Sequence, residues 1–172
     1  MIRRAAAAAI VLALALGMTT ACQPDPAPSA SGPIFANEEE AFAAAEETYR
    51  AYVDALNQRR ADPGSSPDPQ TFLTGQALEV DIETRQQLDQ AGLSLEGSTE
   101  VTAVSLVEAQ SEAGSVQLEV CLDSNGTRVI NQAGDDVTPV DREAISLLTV
   151  DLLSATSGLM IENSTTKLAG KC

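Results

Sequence analysis

The chain has 172 residues, 25 of them acidic and 10 basic, for a formal net charge of −15 at neutral pH. A surface of that sign repels phosphate backbones, which excludes nucleic acid as an expected partner. Histidine and tryptophan are absent, so Ser-His-Asp and Cys-His catalysis and histidine-ligated metals are excluded as well.

Arg3 and Arg4 precede an unbroken apolar run from Ala5 to Leu16, and small residues then lead to Cys22. This is the layout of a bacterial secretion signal over residues 1–21. A cysteine directly after Ala21 makes it a lipoprotein signal, with Cys22 as the lipidated residue, although Thr19 stands where such signals usually carry Leu. The run is about a dozen residues, short of the roughly 20 needed to span a bilayer. Cleavage after Ala21 without lipidation is the alternative. Cysteine parity favours the lipid, because Cys22, Cys121 and Cys172 are the only cysteines and an odd one in an exported protein needs a role. A diacylglyceryl group on Cys22 would hold the chain stably at the outer face of the cell membrane. Residues 1–21 contain two of the ten basic residues and no acidic one, so their removal leaves a net charge of −17.

Residues 22–36 form a Pro/Ala/Ser-rich tether, and residues 37–172 form one domain. Asn37 with Glu40 makes a capping box that opens a helix, and Glu38, Glu39 and Glu40 suit its positive end. Phe42, Ala45, Tyr49, Tyr52, Val53 and Leu56 recur at three- and four-residue steps and make one apolar stripe. Arg59 and Arg60 suit the negative end, and Asp62-Pro63-Gly64 stops the helix. Gln70 to Ala91 reads as a second, less regular helical region, broken or bent near Gly75 and ended by Gly92. Its expected buried residues are Leu73, Leu78, Ile82 and Leu88.

From Ser98 onward the apolar period changes from about 3.6 to 2. Val101 to Val107 reads as a strand and Glu112-Ala113-Gly114 as a turn. Val116, Leu118, Val120 and Leu122 then alternate with Ser115, Gln117, Glu119 and Cys121. Asp123-Ser124-Asn125-Gly126 carries an Asn-Gly turn signal, expected to make a hairpin. Arg128 to Asn131, Ala144 to Leu153 and Leu159 to Thr165 complete the expected sheet. Two helices followed by antiparallel strands is an α+β layout.

With Cys22 lipidated, Cys121 and Cys172 are left as a pair. A disulfide between them would close a loop of about 50 residues, worth roughly 4 kcal/mol by chain entropy. Free thiols are the alternative, made unattractive by oxidising surroundings and the lack of a CxxC.

Three segments carry a family resemblance: EEAFAAAEETYRAYVDALN (Glu39 to Asn57), EVCLDSNGTRVINQAGDDV (Glu119 to Val137) and the terminal Gly170-Lys171-Cys172. In these the chain resembles small actinobacterial lipoproteins whose domain is similar to nuclear transport factor 2, the fold of SnoaL-type cyclases and ketosteroid isomerases. The resemblance implies a cone in which a curved antiparallel β-sheet packs around a long N-terminal helix. It also implies the Cys121–Cys172 bridge.

Isomerases of this fold set a tyrosine beside a buried acid. Tyr49 or Tyr52 could supply the phenol, but Asp151, the acidic residue in the most apolar setting, is expected to face solvent on its alternating strand. Ser164-Thr165-Thr166-Lys167 matches SxxK by chance, without the companion elements that motif requires. No cofactor, metal or catalytic residue is expected. The expected role is a non-catalytic interaction or accessory module with an envelope protein partner. The alternative is a small-molecule carrier with an apolar pocket between helix and sheet, lined by Tyr49, Tyr52 and Phe72.

Overall fold

The computed structural model describes residues 34–167 and Cys172. The expected signal, the lipidation site Cys22 and the tether up to Pro33 lie outside the described residues. Helix α1, Glu38–Ala61, begins at its expected cap: the Glu40 amide donates to Asn37 Oδ1 at 2.8 Å. The Glu40 carboxylate reaches back one residue beyond the usual box and accepts from the Ala36 amide at 2.8 Å. Ala41, Ala45, Tyr49 and Val53, spaced by four, form its buried face. Phe35, at the end of the expected tether, is buried at 8% exposure. The Ile34 amide donates to the Ser111 carbonyl at 2.9 Å, so the chain packs on the domain before α1 begins.

The second helical region is two elements. A 3-10 turn, Pro69–Phe72, is capped by Asp68, whose Oδ1 accepts from the Gln70 amide at 2.9 Å. Leu73 then forms a β-bridge to Ile161, and α2 runs over Gly75–Ala91. Leu73 is buried as expected. Ile82 is not: it is 38% exposed, and α2 contains no fully buried residue. Only one side of α2 approaches the domain, against the edge of the sheet, so its apolar positions are covered on one flank.

Six strands follow: β1 Leu93–Gly97, β2 Glu100–Gln110, β3 Ser115–Asp123, β4 Thr127–Asn131, β5 Ile145–Ala155 and β6 Gly158–Thr166. They divide into two antiparallel sheets, a four-stranded one in the order β2-β3-β5-β6 and a two-stranded one of β1 with β4. Strand β1 was not expected from the sequence. The Asn125-Gly126 turn does not close a hairpin, since β3 pairs with β2 and β5 while β4 crosses to β1. The Asn125 amide donates to Asp123 Oδ1 at 2.8 Å and the Thr127 amide to the Ser124 carbonyl at 2.9 Å. This local turn chemistry redirects the chain without specifying its partner strand.

Val116, Leu118 and Val120 of β3, Val150 and Leu152 of β5 and Ile161 of β6 face α1 and are all at most 1% exposed. Register shifts in β2 and between Asp151 and Leu152 in β5 curve the large sheet around the helix. Cys121 and Cys172 are bonded, with Cα atoms 5.6 Å apart, so the C-terminal residue is fixed to β3.

Candidate functional site

The curved sheet leaves open one end of its concave side, and α2 crosses that end without filling it. Between α1, α2, β1 and the ends of β5 and β6 lies a cavity of about 640 Å³. Its floor is apolar, built from Val53, Leu56, Leu148 and Ile161. Tyr49 and Tyr52 both line it, with ring centroids 6.0 Å apart and planes tilted by 59°. Phe72, the third expected lining residue, is absent from the wall. It ends the short 3-10 turn, and it is the next residue, Leu73, bridged to Ile161 of β6, that reaches the wall.

Three arginines line the cavity, Arg59, Arg60 and Arg85, against two carboxylates, Asp81 and Asp89. Arg59 Nη2 donates to Asp81 Oδ1 at 3.2 Å, and the other Asp81 oxygen accepts from Gln70 Nε2 at 2.9 Å. Arg60 Nη1 donates to Asn57 Oδ1 at 3.2 Å and to Thr99 Oγ1 at 2.9 Å. Asn57 in turn clamps the Thr99 backbone, its Nδ2 donating to the carbonyl at 2.8 Å and its Oδ1 accepting from the amide at 2.9 Å. The Thr99 hydroxyl lies 3.5 Å from that of Ser124, which completes a polar corner of the wall.

Burial sets the electrostatics here. Desolvation pushes the Tyr52 phenol up to about 12, with the Asp81 charge adding to the rise and Arg59 and Arg60 opposing it. Desolvation and Tyr52 raise the Tyr49 phenol further, with the Ser164 hydroxyl pulling the other way. Both phenols are therefore neutral donors at neutral pH. Arg60 is shifted down, chiefly by loss of water, with Tyr52 opposing the fall and Arg59 beside it adding to it.

Asp151 lies on the opposite face of β5 from Val150 and Leu152, where Gln117 Nε2 and Asn163 Nδ2 donate to it at 2.7 and 3.2 Å. It is not brought to the tyrosines. Ser164 and Lys167 lie at the end of β6 rather than at a helix start, and Lys167 pairs with Glu119.

The arginines carried a signal in the sequence. Leu56 to Arg59 and Leu56 to Arg60 are steps of three and four, so both fall on the apolar stripe rather than the solvated face. Matching a helix end to its dipole accounts for a cation there without asking which face it occupies. Asp81 and Thr99 had no comparable local signal, because tertiary packing alone brings them to α1.

No protein-family model and no curated protein matches the sequence. Solved structures do match in fold. A protein from Novosphingobium aromaticivorans named as an aromatic ring hydroxylase aligns with a TM-score of 0.52 and 13% identity, covering 78% of this chain and 93% of that one. The intermembrane space region of the chloroplast protein ARC6 aligns with a TM-score of 0.50 and 14% identity, covering 73% of this chain and 95% of that one. Likeness at such identities shows the fold alone. The fold is an α+β cone of the nuclear transport factor 2 and SnoaL type.

Proposed function

We propose that the domain is a non-catalytic binding module that holds a small, largely apolar molecule in the cavity between its helices and sheets. The volume carries this reading: about 640 Å³ falls within the roughly 300–1,000 Å³ of sites that enclose small ligands. An apolar floor with a few convergent polar groups fits the same use. Tyr49 and Tyr52, held neutral, can donate hydrogen bonds, and Asp81 is engaged by Arg59 and Gln70. These groups suit holding and orienting a ligand rather than moving a proton. The signal pattern and the odd cysteine support placing the module at the outer face of the cell membrane through lipidated Cys22, where it could serve an envelope protein partner.

The test is native mass spectrometry of the full chain isolated from its producing cells, beside an Ala77→Trp variant. Ala77 is half-buried on the cavity wall, so the indole would occupy the space. The wild-type chain is expected to carry a discrete non-covalent mass and the variant, folded by circular dichroism, to lose it. A ligand-free wild-type spectrum, or equal loading of both proteins, overturns the reading. The covalent mass reports the lipid on Cys22 in the same experiment.

A further inference from the structure

Arg60 is half-buried on the cavity wall and its hydrogen-bond partners are both neutral, Asn57 Oδ1 and Thr99 Oγ1. Among the described residues, no carboxylate oxygen lies within 4.0 Å of its guanidinium. Its neighbour Arg59 has Asp81 at 3.2 Å. Charges withdrawn from water are normally paired, because desolvation without a counter-charge is costly. The negative end of α1 offers partial compensation, but it offers it to Arg59 as well, which still has a carboxylate partner.

The charge distribution points the same way. Residues 34–167 contain seven basic side chains, and three of them line this one cavity. In a chain with 25 acidic residues, a wall with more arginines than carboxylates is a local reversal of sign. The hydroxyls of Thr99 and Ser124 stand beside Arg60 as neutral hydrogen-bonding groups.

We propose that the ligand is an organic anion, with a carboxylate or similar oxyanion head seated on Arg60 and its apolar body lying on the Leu56 and Leu148 side of the cavity. This rests on the reading of the cavity as a ligand site and names the chemical class that the site selects. A planar guanidinium suits such a head because it can present two parallel donors to two oxygens. The strongly acidic surface gives no general attraction for anions, so a preference for one must come from the cavity.

The probes are 2-naphthoate and 2-naphthamide, which share shape and ring system and differ in charge. Each is titrated calorimetrically into the full chain after its bound small molecules have been stripped and their absence checked by native mass spectrometry, against a blank of the same solvent. Naphthoate is expected to bind about tenfold to a hundredfold more tightly than naphthamide, the span of one charge-assisted contact. Arg60→Met is expected to abolish the preference for naphthoate over naphthamide while both still bind, and that retained binding shows that the cavity is intact. Arg60→Lys keeps the charge without the planar fork and is expected to fall between. Equal binding of the two probes by the wild-type chain, or naphthoate binding unaltered in Arg60→Met, overturns the anion proposal and leaves the cavity reading standing. Binding of neither probe overturns both.

Discussion

Tyr49 and Tyr52 both stand on the cavity wall and are its most informative probes. They are the only tyrosines in a chain without tryptophan, so the phenolate absorbance of the protein reports on the cavity wall alone. Both phenols are raised above the ordinary value of 10.0 in the folded state, Tyr52 to about 12 and Tyr49 beyond it. The unfolded chain therefore loses these protons first. Their contribution to stability is intact below pH 10 and is lost as the pH rises through the window up to about 12 and past it. Within that window each phenol should lower stability by about 1.4 kcal/mol per pH unit. Urea midpoints at stepped alkaline pH are expected to fall, and less steeply for Tyr52→Phe. Phenolate absorbance rising near pH 10 with the fold intact would mean that water reaches both rings freely. The tyrosines were legible because the apolar stripe of α1 is a local pattern. Arg60 lies in the last turn of α1 as expected, but its place on the cavity wall went unread because a cation near a helix end already has a sufficient local explanation in the dipole.

At the scale of elements, legibility tracks the distance over which the deciding contacts act. Helix α1 carries its own cap, stripe and stop, so its existence and buried face follow from neighbouring residues. The alternation of β3 is equally local. Strand β1 is five residues, Leu-Ser-Leu-Glu-Gly, directly after the glycine that ends α2. Its strand state is fixed by pairing with β4, more than thirty residues on, from Leu93 with Asn131 to Gly97 with Thr127. Nothing within five residues reveals that pairing. The same long-range choice makes the Asn125-Gly126 turn a crossing between sheets instead of a hairpin. Gly97 marks where the crossing is tightest: its φ is +84°, and a Cβ there would fall on the backbone carbonyl oxygen of Gly126. A backbone atom cannot swing aside as a side chain can, so Gly97→Ala is expected to cost on the order of 2–3 kcal/mol. The loss should be local in hydrogen exchange, with amides of β1 and β4 losing protection while β3 and β5 keep theirs. Uniform loss of protection would show that the small sheet is integral to the large one.

For the molecule as a whole, the dominant fact is the imbalance of charge. Between residues 34 and 167 there are 24 acidic and seven basic side chains, and the described residues form five ion pairs, several with well-exposed partners. Exposed pairs contribute little each, whereas the excess carboxylates repel one another throughout the compact state. Salt screens both effects, with a Debye length of about 10 Å at 0.1 M. The repulsion is the larger because most of the acidic residues have no cationic partner. Urea midpoints are therefore expected to rise with added sodium chloride. The same field bears on the proposed ligand. An anion approaching this protein meets a surface of its own sign before it reaches Arg60, so the long-range field slows entry while the local guanidinium retains the ligand once seated. Raising ionic strength should speed naphthoate association, measured by stopped-flow competition, and leave its dissociation rate nearly constant because a half-buried contact is screened less. A simple cationic patch on the surface would behave in the opposite way, losing association rate as salt rises. The sign of that salt dependence separates an anion held within an acidic shell from one collected on an exposed basic face.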